Sequence, residues 1–166
     1  MKTILKAGLV LAVLVEIWTY FIGFTGWYKD PVLQNAFWVV ILIEIGVLIW
    51  GLRLTSREGR GYGAQLGAGT LISVVGALLI FFGSYLFTEV VFPNYFTEIN
   101  EVYRQMMAQQ GLSQEQIEAQ IASMAPIQNS LTSALMGAVM TVVTGFLASL
   151  VIAAFVRHRP EAAKPG

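Results

Sequence analysis

Glu16 and Glu44 are the residues of this chain best placed to do chemistry. Each lies inside a long apolar run, Glu16 ten residues beyond Lys6 and Glu44 nine before Arg53. At about 1.5 Å rise per helical residue, both are expected roughly 14 to 15 Å from the boundary those cations mark, close to a bilayer midplane. An ionised carboxylate at that depth costs on the order of 2.5 kcal/mol or more, so each is expected to face inward, stay protonated or share a partner. Thr19, Tyr20, Thr141 and Thr144 complete the candidate intramembrane polar site. One reading is a proton-responsive pair or a cation site, in which carboxyls at equal depth titrate together. The other is structural: each glutamate hydrogen-bonds a neighbour such as Thr19, Thr141 or Thr144 and ties helices together.

Other chemistries find little material. The chain has no cysteine, and its one histidine, His158, stands between Arg157 and Arg159 in a polar tail, so no metal or cofactor is expected. Met106, Met107, Met124, Met136 and Met140 lack a histidine or cysteine partner for copper and read as packing residues. Glu98 and Glu101 lack the spaced oxygens of a calcium loop. Gly59, Gly61, Gly63, Gly67 and Gly69 do not form a phosphate loop, because the Lys-Ser/Thr that would follow is missing and no strand precedes them. Without paired aspartates, a Ser with His or Lys, or a metal box, the chain is not expected to be an enzyme.

The elements that must position the two glutamates are membrane helices. Of 166 residues, 56% are hydrophobic and 12% charged, with mean hydropathy +0.67, so a water-soluble fold would expose a large apolar surface. The formal net charge of +0 gives no field that would attract nucleic acid. Four runs, over 4–24, 32–54, 64–92 and 131–156, each reach the roughly 20 residues needed to cross about 30 Å of hydrocarbon. The first is too long for a secretory signal, carries Glu16 and lacks a small-x-small cleavage site. The third exceeds a perpendicular span, so it is expected to tilt or project before Pro93 ends it. The fold class is therefore all-α, an integral membrane four-helix bundle and a single membrane domain.

Between the third and fourth runs, residues 94–126 read as a helical hairpin. Ile99, Val102, Tyr103 and Met106 recur at helical spacing, Gly111 suits a C-terminal cap, and Ser113 with Gln116 forms a capping box. With four spans, Lys2, Lys6, Arg53, Arg57, Arg60, Arg157, Arg159 and Lys164 share one side, leaving only Lys29 and Arg104 opposite. Lys and Arg in short loops resist translocation, which makes the crowded side cytoplasmic, the hairpin extracytoplasmic and 160–166 a flexible cytoplasmic tail. The expected location is a bacterial inner membrane with both termini inside.

Helices in lipid associate through close packing, which small residues permit. Gly69, Gly76 and Gly83 on the third run, and Gly137 and Gly145 on the fourth, are expected to face each other across an antiparallel contact. Gly8, Ala12, Thr19 and Gly23 continue the face of Glu16 on the first run.

The order of features has a family likeness. Gly61-Tyr62-Gly63 turns into the third span, Phe92-Pro93-Asn94-Tyr95-Phe96 leads to a helix, Gly111 and Ser113 open an acidic amphipathic helix ending near Met124, and a last span closes on basic residues. This resembles the uncharacterised bacterial membrane proteins grouped as domain-of-unknown-function family 4199, frequent in Bacteroidetes. The resemblance implies a fold and a location but no activity. The expectation is a non-enzymatic scaffold or accessory subunit, with the lipid bilayer and a second copy or another membrane protein as partners. The alternative is a proton-linked or ion-conducting transporter built around Glu16 and Glu44 in an oligomer.

Overall fold

The computed structural model describes residues 1–156, which leaves Arg157, His158, Arg159, Lys164 and the 160–166 tail outside the described residues. Helix α1 covers Lys2–Thr25, α2 Val39–Ser56, α3 Tyr62–Leu86, α4 Tyr95–Gln109, α5 Gln114–Met124 and α6 Ser130–Val156. No strand occurs among the described residues. Four stretches, Lys2–Thr25, Leu33–Ser56, Tyr62–Val91 and Ser130–Val156, are long and apolar enough to cross a membrane.

Local chemistry sets the ends of these elements. Gly26 takes a left-handed conformation (φ 72°) and its N–H donates to the Gly23 and Ile22 carbonyls, ending α1. After Pro31, the Asp30 carboxylate accepts from the Val32 and Leu33 amides, and the chain enters a six-residue 3-10 segment, Leu33–Trp38. The second apolar run thus becomes α-helical only from Val39. The length of the third run is accommodated by a π-helical turn over Phe87–Val91, where Phe92 N–H donates to the Phe87 carbonyl.

Helix α3 is the axis of the bundle and packs against α1, α2 and α6, most extensively against α6. It runs parallel to α1, with Gly8 opposite Val75, Glu16 opposite Gly83 and Gly23 opposite Phe87. It runs antiparallel to α6, with Gly69 opposite Ser149 and Ser73 opposite Gly145. The core joins Leu11, Leu48, Leu52 and Ile72, all fully buried. At one end, Thr3 on α1 donates to Glu58 in the α2–α3 turn, and Thr55 and Gln65 tie α2 to α3 below the surface. At the other end lie the α1–α2 loop and the α4–α5 pair.

Helices α4 and α5 pack on each other through Tyr103, Met107, Leu112, Ile117, Ile121 and Met124. Gly111 (φ 82°) lets the Leu112 and Gly111 amides reach back to the Met107 and Ala108 carbonyls, a Schellman closure of α4. Ser113 and Gln116 form the reciprocal capping box that opens α5.

Candidate functional site

Glu44 sits halfway along the apolar stretch Leu33–Ser56 and is only 4% exposed. From α6, Thr144 Oγ1 lies 2.5 Å from Glu44 Oε2, and from α3, Ser73 Oγ donates to Glu44 Oε1 at 3.3 Å. Thr144 Oγ1 is also 2.8 Å from the Met140 carbonyl, and one hydroxyl has one proton to give. A neutral Glu44 resolves the competition: its O–H donates to Thr144, Thr144 donates to Met140, and Ser73 fills the other oxygen. Every polar atom of the cluster is then satisfied, and three helices are joined at one level.

Glu16 has a different setting. Its carboxyl lies on the backbone of α3 at Gly83, where an added Cβ would fall 2.3 Å from the carboxyl carbon. Both Glu16 oxygens are buried and neither has a hydrogen-bond partner among the described residues. Ser84 lies beside the carboxyl without closing a bond of good geometry. Tyr20 donates to the Gly83 carbonyl at 3.4 Å, and its ring meets Phe87 edge-on at 5.2 Å.

The two carboxyls are therefore not one site. Ser73 and Gly83, which receive Glu44 and Glu16, are ten residues apart on α3, or about 15 Å along its axis. Equal depth was expected from the cations on each glutamate's own helix. The offset arises because α1 is displaced along α3, so that Glu16 meets the far half of that helix.

The remaining candidates divide as follows. Thr144 joins Glu44, whereas Thr141 donates to the Gly137 carbonyl of its own helix at 3.0 Å. Thr19 donates to neither carboxyl among the described residues. Gly69 and Gly145 sit in the α3–α6 contact, each receiving a serine of the opposite helix: Ser149 enters at Gly69 and Ser73 at Gly145. Gly76 and Gly83 face α1 rather than α6, against Leu11 and Glu16. Gly137 has open space over its α-carbon. The expected face-to-face glycine stripes thus hold only for Gly69 and Gly145, since α1 covers the later part of the α3 stripe.

Three features were missed in the sequence. Ser73, a lone hydroxyl between Gly69 and Gly76 in the third apolar run, donates to Glu44. Gln65, fully buried, accepts from Thr55 at 2.6 Å and donates to the Leu52 carbonyl at 3.1 Å. A lone amide inside an apolar run was the available signal. Above the spans, Glu98 on α4 accepts from the buried Tyr28 hydroxyl and pairs with Lys29 at 3.0 Å. Burial and the Glu98 acceptor push the Tyr28 hydroxyl well above its ordinary value, while the Tyr28 hydrogen bond and then Lys29 hold the Glu98 carboxyl below its own.

Among the described residues, no group of three or more His, Cys, Asp or Glu side chains is arranged to hold a metal. No curated protein and no solved structure matches the chain. A family model does match, over residues 6–158, which is nearly the whole length. The chain belongs to the DUF4199 family, proteins of unknown function.

Proposed function

We propose that this protein is a small multi-pass inner-membrane scaffold or accessory subunit without enzymatic activity, its termini cytoplasmic and its α4–α5 pair extracytoplasmic. The observation that carries the reading is Glu44: its two oxygens are spent on hydroxyls from α3 and α6, the work of a structural tie. The orientation follows from charge. Lys2, Arg53, Arg57 and Arg60 gather where α1 begins and α2 turns into α3, against Lys29 and Arg104 at the far end. A partner helix has a surface to use in the apolar cleft of about 530 Å³ between α3 and α6, lined by Val74, Leu78, Phe81, Leu135 and Val139. Chemical cross-linking in native membranes is expected to recover the chain joined to a second copy or another membrane protein. Recovery of monomer alone would overturn the reading.

A second reading, proton-linked or ion-conducting transport by an oligomer, draws on Glu16, whose buried oxygens have no partner. Liposomes carrying the protein under a pH gradient separate the two. Transport requires proton exchange in the wild type and its loss in Glu44→Gln or Glu16→Gln. Absence of flux leaves the scaffold standing.

A further inference from the structure

A carboxyl buried in an apolar seam is stable in few ways. Charged, it needs donors or a cation; neutral, it still carries an O–H to place. Glu44 has solved this with Thr144 and Ser73, but Glu16 has not: both its oxygens are covered and neither is bonded. The residue as a whole is only half-buried, so its stem is partly exposed while its head is folded onto α3. Gly83 makes that possible, since any side chain there would occupy the place of the carboxyl.

We propose that Glu16 is a proton-binding site set in the far half of the bundle, with the Gly83 notch as its neutral seat and the Ser84 and Tyr20 hydroxyls as the donors its ionised form would take. Ser84 is adjacent. Tyr20 holds only a long, 3.4 Å bond to the Gly83 carbonyl, so turning to the carboxylate costs it little. No cation lies within the seam among the described residues. On α1 the titratable neighbour is Tyr20 and the nearest charge is Lys6, ten residues away. On α3 and its π-helical turn the titratable groups are Tyr62, Tyr85 and the exposed Glu89. α2 contributes Glu44, at a level about 15 Å away, and Arg53, nine residues farther toward the α2–α3 turn. The site thus takes or releases one proton, moving between seam and hydroxyls, with no ligand required from the opposite half of the membrane.

The proposal rests on the transport reading and deepens it by choosing Glu16 over Glu44 and naming its seat and its donors, and its test reads chemical labelling rather than flux, so either can fail alone. Dicyclohexylcarbodiimide enters lipid and modifies protonated carboxyls. Applied to the full chain in liposomes across pH 5 to 9 and read by peptide mass spectrometry, it is expected to label Glu16 in preference to Glu44. The Glu16 adduct should fall about tenfold per pH unit once the group ionises. Gly83→Ala, which displaces the carboxyl from its seat, should change the Glu16 labelling rate, while Gly137→Ala should not. No adduct on Glu16, an adduct independent of pH, or equal labelling of Glu44 would each overturn the proposal.

Discussion

Thr144 and Glu44, a hundred residues apart in the chain, meet at 2.5 Å in the middle of the bundle. Because Ser73 reaches the other oxygen, α2, α3 and α6 are fastened at one level without a charged partner. Thr144→Val keeps the shape and removes the hydroxyl, leaving Glu44 Oε2 buried and unpaired. Interhelical hydrogen bonds in membranes average about 0.6 kcal/mol, but an orphaned buried group costs about 1 to 3 kcal/mol. The expected loss is about 1 to 2 kcal/mol in thermal or denaturant unfolding in detergent. Glu44→Leu combined with Thr144→Val should recover much of it, because both ends of the bond are then gone.

The α3–α6 contact depends on two notches. A Cβ at Gly145 would fall 1.8 Å from Ser73 Oγ, and one at Gly69 would fall 2.1 Å from Ser149 Oγ. Gly145→Ala is therefore expected to destabilise by about 1 to 3 kcal/mol through overpacking, and Ser73→Gly in the same chain to relieve part of that cost. Gly137→Ala meets open space and should change stability by no more than about 0.5 kcal/mol. Unfolding midpoints of the three variants in one detergent check the order.

Much of this architecture is legible in the sequence, because spans are set by length and apolarity, which each helix carries alone. The Gly111 closure and the Ser113 and Gln116 capping box are local and legible for the same reason. The relation between helices is not. Thr141 and Thr144 lie one turn apart on α6, and only the axial register of α2 against α6 selects Thr144 for Glu44. The glycines seven apart on α3 mark one face, but the neighbour covering it changes from α6 at Gly69 to α1 at Gly76, a consequence of where α1 begins. The same displacement sets Glu16 and Glu44 at different levels, which counting from Lys6 and Arg53 does not reveal.

The two serines that fill the notches have opposite hydrogen-bond states. Ser73 donates to Glu44, whereas Ser149 Oγ is buried with no partner among the described residues. Ser149→Ala removes an unpaired polar atom and should leave stability unchanged or raise it by up to about 1 kcal/mol. Ser73→Ala strips a donor from Glu44 and should lower it by about 1 kcal/mol. The opposite signs, read in the same unfolding assay, separate a tie from a filler; a loss from Ser149→Ala equal to that from Ser73→Ala would refute the distinction.

Docking of α4 against the α1–α2 loop should depend on pH. The Tyr28 hydroxyl and Lys29 hold the Glu98 carboxyl below its ordinary 4.5. For a depressed folded-state value, the contribution to stability is complete above that ordinary range and disappears as pH falls through the folded-state value. Glu98 is partly exposed, so the effect is modest, about 1 kcal/mol or less. Amide exchange in α4 is expected to accelerate on moving from pH 7 to pH 3, after correction for the intrinsic rate, with α1 and α3 unchanged. Tyr28→Phe removes the strongest donor and should weaken that acid dependence.

Orientation can be read directly, because the chain has no cysteine of its own. Gln110 lies exposed at the tip between α4 and α5, and Arg57 lies in the turn between α2 and α3, at opposite ends of the bundle. If lysine and arginine have been retained on the cytoplasmic side, Gln110→Cys in intact cells should react with a membrane-impermeant maleimide, and Arg57→Cys only after the membrane is opened. The reverse pattern would invert the topology and place the α4–α5 pair inside the cell. Reaction of both without permeabilisation would mean that the apolar helices do not cross a membrane, and the placement of Glu16 and Glu44 relative to a bilayer would fall with it.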